Sequence, residues 1–132
     1  MKPGMKIGDT ATITARVTPE MFAQFEGKLV HPAYSTVSMV YHMEWAARQI
    51  ILPFLEENEE GIGGGIKATH LAPTPEGMPL SITATLTELK GKAVICEVEV
   101  RNEKAVVGQG EVTQYILPKA QISKKLEEMK VL

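Results

Sequence analysis

Apolar and polar residues alternate through residues 7–17, with Ile7, Ala11, Ile13, Ala15 and Val17 at odd positions and Thr10, Thr12, Thr14 and Arg16 at even ones. Successive side chains of a strand point to opposite faces, so this two-residue period predicts a half-buried strand. The period then lengthens. Between residues 36 and 54, Val40, Met43, Ala47, Ile50, Ile51 and Phe54 recur at three- and four-residue steps, and Trp45 and Ala46 widen the stripe. That spacing predicts a long helix lying against a sheet. A hydroxyl at Ser35 or Thr36 is suited to cap its first amides, and Pro53 removes a donor and ends it near Leu52. The intervening residues 21–32 show no clean period. With Phe22, Phe25 and Gly27 they read as a turn or lid.

Alternation returns with Ile66, Ala68 and His70, then Ile82, Ala84 and Leu86, then Val94, Cys96, Val98 and Val100. Gly91 in Leu89-Lys90-Gly91-Lys92 and Asn102 in Arg101-Asn102-Glu103-Lys104 mark tight turns, so these strands are expected to pair antiparallel. Residues 106–117 form a further strand, in which Gly108 and Gly110 predict a bulge or bend. Residues 121–132 fit a short amphipathic terminal helix. The fold class is therefore α+β, one long helix wrapped by a five-stranded antiparallel sheet. Its open edge strands predict edge-to-edge dimerisation.

Composition narrows the function classes. The chain of 132 residues is 44% hydrophobic, enough for one domain spanning 1–132 with a core of its own. The lone Cys96 has no internal disulfide partner and reads as a small buried hydrophobe in a reducing compartment. The N-terminus lacks the apolar run of a secretory signal, and no stretch reaches the roughly 18 apolar residues of a membrane span, so a soluble, cytoplasmic protein is expected. Fourteen basic and sixteen acidic residues leave a net charge of -2 without a basic stripe, which argues against nucleic acid or membrane as a partner. No Cys/His cluster offers metal-ligand spacing, and the acidic run at 56–60 reads as a solvated turn.

Three polar residues, Thr36, Glu44 and His70, occupy positions where the pattern predicts burial. An apolar site destabilises an ionised carboxylate and raises its pKa towards the range of a general base, and His70 is a natural partner for Glu44. Each also has a plain reading: Thr36 as helix cap, Glu44 at a helix edge, His70 as a satisfied core histidine. The run Gly61-Ile62-Gly63-Gly64-Gly65 follows a helix and precedes a strand, the reverse of a phosphate-cradling loop. Its glycines permit close backbone approach to a ligand, with amides able to receive an oxyanion, or else a flexible turn.

In these residues the chain resembles hotdog-fold acyl-CoA thioesterases, specifically the fluoroacetyl-CoA thioesterase-like family, from about residue 8 to 117. The resemblance is carried by Ser35-Thr36, Met43-Glu44, Gly63-Gly64-Gly65, Thr69-His70-Leu71-Ala72-Pro73-Thr74-Pro75 and Gly108-Gln109-Gly110. It implies a catalytic set of Thr36, Glu44 and His70, with Glu44 as general base. It also implies substrate contacts from Ser35, Phe25, Tyr34, Gly63, Gly64 and Gly65, and an acyl pocket shaped further by Phe22 and Trp45. The implied reaction is hydrolysis of a small acyl-CoA thioester between two subunits of a homodimer or dimer of dimers, with coenzyme A as part of the substrate and no other cofactor. An acyl-CoA hydratase and a non-catalytic acyl-CoA binder remain alternatives. Relatives often carry an arginine where this chain has Gln114. Eight helical residues advance about 12 Å, so Thr36 and Glu44 meet only if Thr36 precedes the helix or the two come from different subunits.

Overall fold

The computed structural model describes residues 1–130. Strands β1 (Thr10–Arg16), β2 (Phe22–Phe25) and β3 (Lys28–Tyr34) precede helix α1 (Thr36–Ile51). Strands β4 (Glu59–His70), β5 (Pro79–Lys90), β6 (Ala93–Arg101) and β7 (Val106–Pro118) follow, then helix α2 (Lys119–Met129). Five strands form one antiparallel sheet in the order β1-β5-β6-β7-β4, and β2 and β3 form a separate hairpin. The sheet lies along α1 in the α+β arrangement of the hotdog fold.

The core sits where the two periodicities meet. Leu80, Ile82, Ala84 and Leu86 of β5 and Val94, Cys96, Val98 and Val100 of β6 are buried against Met39, Met43, Ala46, Ala47, Ile50 and Ile51 of α1. Each large side chain taken fully from water here contributes about 1.5–3 kcal/mol. Cys96 is buried and free, and burial pushes its thiol up to about 11. The helix ends as its sequence requires. Ser35 Oγ accepts the Ser38 amide at 3.0 Å as N-cap, and past Ile51 a single 3-10 turn, Leu52–Phe54, carries Pro53.

Gly108 and Gly110 do more than loosen β7. A bulge does fall beside them at Val107, where Val100 pairs with Gly108 but Arg101 with Val106. A Cβ at Gly108 would run into the Met39 sulfur, and one at Gly110 into the Lys67 carbonyl and the Met43 methyl. The two bare positions let α1 approach the sheet closely enough to seat both methionines.

Three expectations change. Residues 21–32 are mostly the β2–β3 hairpin, turning through Glu26 and Gly27 at φ 51 and 76. Only Tyr34 of β3 is buried, so no alternation marks this hairpin in the sequence. The glycine run 61–65 and the acidic Glu59 and Glu60 lie inside β4, not in a turn before it, because pairing with β7 overrides weak strand propensity. Ile66 and Ala68 face the helix side as expected yet are exposed, since β4 is an edge strand that α1 barely covers.

That facing depends on one residue. Gly63 pairs with Gln114 and Gly65 with Thr113, so Gly64 is a bulge that switches the inward set from Gly61 and Gly63 to Ile66, Ala68 and His70. Gly64 itself lies on the outer face beneath the Tyr115 ring, with no room for a Cβ. Without this extra residue His70 would point away from the helix. The terminal helix is present as α2, and the expected positions 131 and 132 lie outside the described residues. Among the described residues no helix is long and apolar enough to cross a membrane.

Candidate functional site

Thr36 opens α1, and His70 closes β4. Their side chains meet: Thr36 Oγ1 lies 2.9 Å from His70 Nδ1. The loop after His70 is fixed at several points, which explains the Thr69–Pro75 motif. The Leu71 and Ala72 amides both donate to the Val107 carbonyl, the Tyr34 amide donates to the Thr74 carbonyl, and Asn102 Nδ2 donates to the buried Thr74 hydroxyl. A cavity of about 390 Å³ opens on this pair, lined by Phe22, Phe25, Tyr34, Ser35, Thr36 and His70 among others. Thus Ser35, Phe25 and Tyr34 stand beside Thr36 and His70, although the Ser35 hydroxyl is occupied as the helix cap.

Burial lowers the His70 pKa from its ordinary value, and the Ala72 backbone pulls the other way. Its Nε2 is buried and has no hydrogen-bond partner among the described residues.

Glu44 is elsewhere. The expectation that it and Thr36 are buried fails: both are exposed, and His70 is only partly covered. Helical geometry gives the reason. Met39, His42, Met43, Ala46 and Ile50 share the core face, whereas Glu44 lies on the outward stripe with Val37, Tyr41 and Trp45. It borders a second cavity of about 580 Å³ with Tyr41, Trp45, Arg48, Gly63, Gly65 and Gln114. Gly63 and Gly65 therefore accompany Glu44 rather than Thr36, Gly64 faces away, and Trp45 lines this cavity. Glu44 Oε2 would sit 4.0 Å from a Cβ on Gly63, so the bare glycine leaves the carboxylate open. Gln114 is buried and donates from Nε2 to the Ala47 carbonyl at 3.0 Å, bonding the helix to β7.

The misplaced polar residue inside the core is His42, which the sequence pattern does not single out although it falls one turn from Met39 and Ala46. Its Nδ1 lies 2.6 Å from the Tyr34 hydroxyl, and burial lowers its pKa. Among the described residues no group of three or more metal-ligating side chains clusters.

Comparison with known proteins identifies the fold and the family. The family model described as fluoroacetyl-CoA-specific thioesterase (FlK) matches residues 17–120. The fluoroacetyl-CoA thioesterase of Streptantibioticus cattleyicolor is 31% identical over 121 residues, covering 83% of this chain and 84% of that protein. A Thermus thermophilus thioesterase superfamily member superposes with a TM-score of 0.94 at 44% identity, covering 98% of this chain and 96% of the other. A mutant of the fluoroacetyl-CoA-specific thioesterase in complex with fluoroacetate and CoA superposes with a TM-score of 0.83 at 26% identity, over 89% and 99% of the two chains. With that fold, and a threonine and histidine in contact at the mouth of a cavity, the chain belongs to the fluoroacetyl-CoA-specific thioesterase family and is a hotdog-fold thioester hydrolase.

Proposed function

We propose that the protein hydrolyses a small acyl-CoA thioester to the free acid and coenzyme A, with Thr36 and His70 of one protomer and Glu44 of a second forming the site. The observation that carries this reading is the Thr36–His70 contact, made at a cavity where the imidazole keeps Nε2 free. Glu44 acts as general base on the Thr36 hydroxyl or on water. The activated oxygen adds to the thioester carbonyl, the carbon–sulfur bond breaks, and the departing thiolate takes a proton from His70, which regains one from the protonated Glu44. Where Thr36 is the nucleophile, a water activated by Glu44 then hydrolyses the threonyl ester to release the acid. Amides of Gly65, or of the first turn of α1, stabilise the oxyanion that forms between these steps.

A second protomer supplies what one chain lacks. Among the described residues β4 has no partner on its outer edge, and Val37, Tyr41 and Trp45 of α1 with Ile62 and Ile66 of β4 form an exposed apolar face beside it. Edge pairing of β4 with its copy satisfies the free backbone groups and covers this face. It also brings each Glu44 towards the other protomer's Thr36 and His70. The relative solved with fluoroacetate and CoA supports a CoA thioester as substrate.

The test is release of free thiol from a panel of acyl-CoA thioesters of increasing acyl size. Hydrolysis is expected for short acyl groups, with little turnover of long ones. Tight binding without thiol release, or a change in 2-enoyl absorbance without it, would sink the reading in favour of a binder or a hydratase.

A further inference from the structure

A titratable pair that this chemistry leaves unused lies behind the threonine–histidine contact. Tyr34 and His42 are 2% and 4% exposed, and the hydroxyl of one lies 2.6 Å from Nδ1 of the other. Their rings stack, centroids 5.7 Å apart at 17°. The Tyr34 ring also meets the His70 imidazole edge to face, at 6.2 Å and 78°. One ring thus bridges a buried helix histidine and the histidine that contacts Thr36.

Burying a hydroxyl and an imidazole costs more desolvation than an apolar pair of the same volume, so the pair calls for a role that volume alone does not give. Burial raises the tyrosine pKa and lowers that of His42, which keeps both neutral and their bond intact through ordinary pH. The tyrosine backbone is also fixed. Its amide donates to the Thr74 carbonyl at 2.9 Å, and the preceding Ala33 bridges to Pro75, both in the loop that follows His70. Tyr34 is therefore held by its main chain to the His70 loop and by its hydroxyl to α1.

His70 needs such a support. A working histidine usually has one ring nitrogen anchored by a carboxylate or carbonyl, which sets tautomer and orientation. Here Nδ1 meets the Thr36 hydroxyl and Nε2 meets nothing. Nε2 has no hydrogen-bond partner among the described residues, so packing bears on the orientation of the ring, and the Tyr34 ring is the aromatic surface it meets. We infer that Tyr34, locked by His42, is the positioning residue for His70, keeping Nδ1 on Thr36. This rests on the reading above, in which His70 moves the proton.

The chain has three histidines, His31, His42 and His70, so the imidazole nitrogens of each are separable by nitrogen-15 NMR. Tyr34→Phe keeps the ring and removes the bond, His42→Leu removes the bond from the other side, and His42→Asn keeps a polar group at the Nδ1 position. Tyr34→Phe and His42→Leu are expected to lower kcat on the best substrate about tenfold with KM little changed, the effect of a slightly misplaced group. The His70 nitrogens are expected to move from a single tautomer towards averaged shifts, and His42→Asn to recover most of both effects. A role in stability alone would lower Tm while leaving kcat and the His70 shifts of the folded protein as in wild type, and that result overturns the proposal. Should no thioester be hydrolysed at all, the His70 shifts decide by themselves: moved, the positioning stands; unmoved, it falls. Should Tyr34→Phe not fold, the contrast between His42→Asn and His42→Leu decides in the same way.

Discussion

Two cavities flank α1, and one chain completes them to different degrees. Around Thr36 and His70 the polar contacts close within the protomer, through the Ser35 cap, the Tyr34–His42 bond and a loop tied to Val107 and Asn102. Around Glu44 they do not. The carboxylate has no hydrogen bond or ion pair among the described residues, and Arg48, one turn on, pairs with Glu60 at 2.9 Å instead. Tyr41 and Trp45 stand exposed beside it, and the adjacent edge of β4 is unpaired. An open strand edge, an uncovered aromatic stripe and a solitary carboxylate in one place are what half of an interface looks like before its other half arrives. Thr36 and His70 thus belong to the part of the site a protomer builds alone, and Glu44 to the part it lends.

Removing a reacting group from either side gives the largest effect. His70→Ala and Glu44→Ala are each expected to lower kcat by about 10³-fold in the thiol-release assay, the scale of lost general acid–base catalysis. A Glu44→Ala enzyme that turns over normally would mean the two cavities are unrelated. Mixing the two inactive variants sharpens the test. After subunit exchange half the dimers are mixed, and each holds one intact site if Glu44 works across the interface, so recovery to about a quarter of wild-type activity is expected. If both groups act within one chain, mixing restores nothing.

The same division governs what the sequence reveals. The helix, its Ser35 cap, its end at Pro53 and the strands β5 and β6 follow from period and punctuation, because these elements bury one face against another. Where burial is incomplete the pattern fades. The β2–β3 hairpin has almost no covered side chains, and β4 hides its glycines in a ladder whose pairing partner lies some fifty residues away, beyond the reach of local pattern. Thr36, Glu44 and His70 all stand out through spacing shared with a family, while the burial predicted for them fails for Thr36 and Glu44, which are exposed, and holds only in part for His70. His42, a polar residue of the core, shares the Met39–Ile50 face, but a histidine between Tyr41 and Met43 breaks no pattern and is not singled out.

A stability lesion on the closed side offers a control that leaves the open side intact. Gly110→Ala places a methyl against the Lys67 carbonyl and the Met43 methyl, and backbone cannot yield as a flexible side chain does. Loss of about 2 kcal/mol is expected from such overpacking, measured as a lower urea midpoint with unchanged slope. An unchanged midpoint would show that α1 can lift from β7 at no cost.

The smallest effect expected is a dependence of stability on pH that belongs to the threonine–histidine side, where the buried His42 and the half-buried His70 lie. Burial lowers the pKa of His70 and of His42 below the ordinary 6.5. The unfolded chain therefore takes up these protons at higher pH than the folded one, and stability rises with pH wherever it does so. Above about 6.5 neither form is protonated and nothing is lost. As pH falls through the lowered folded values, the cost of charging the two imidazoles, or of unfolding to avoid it, grows to its full size. Urea midpoints measured between about pH 7 and pH 4 should decline, and the decline should be shallower in His42→Asn, which removes one of the two titrating groups. An identical decline in that variant would take His42 out of the acid sensitivity and leave it to His70 and the carboxylates.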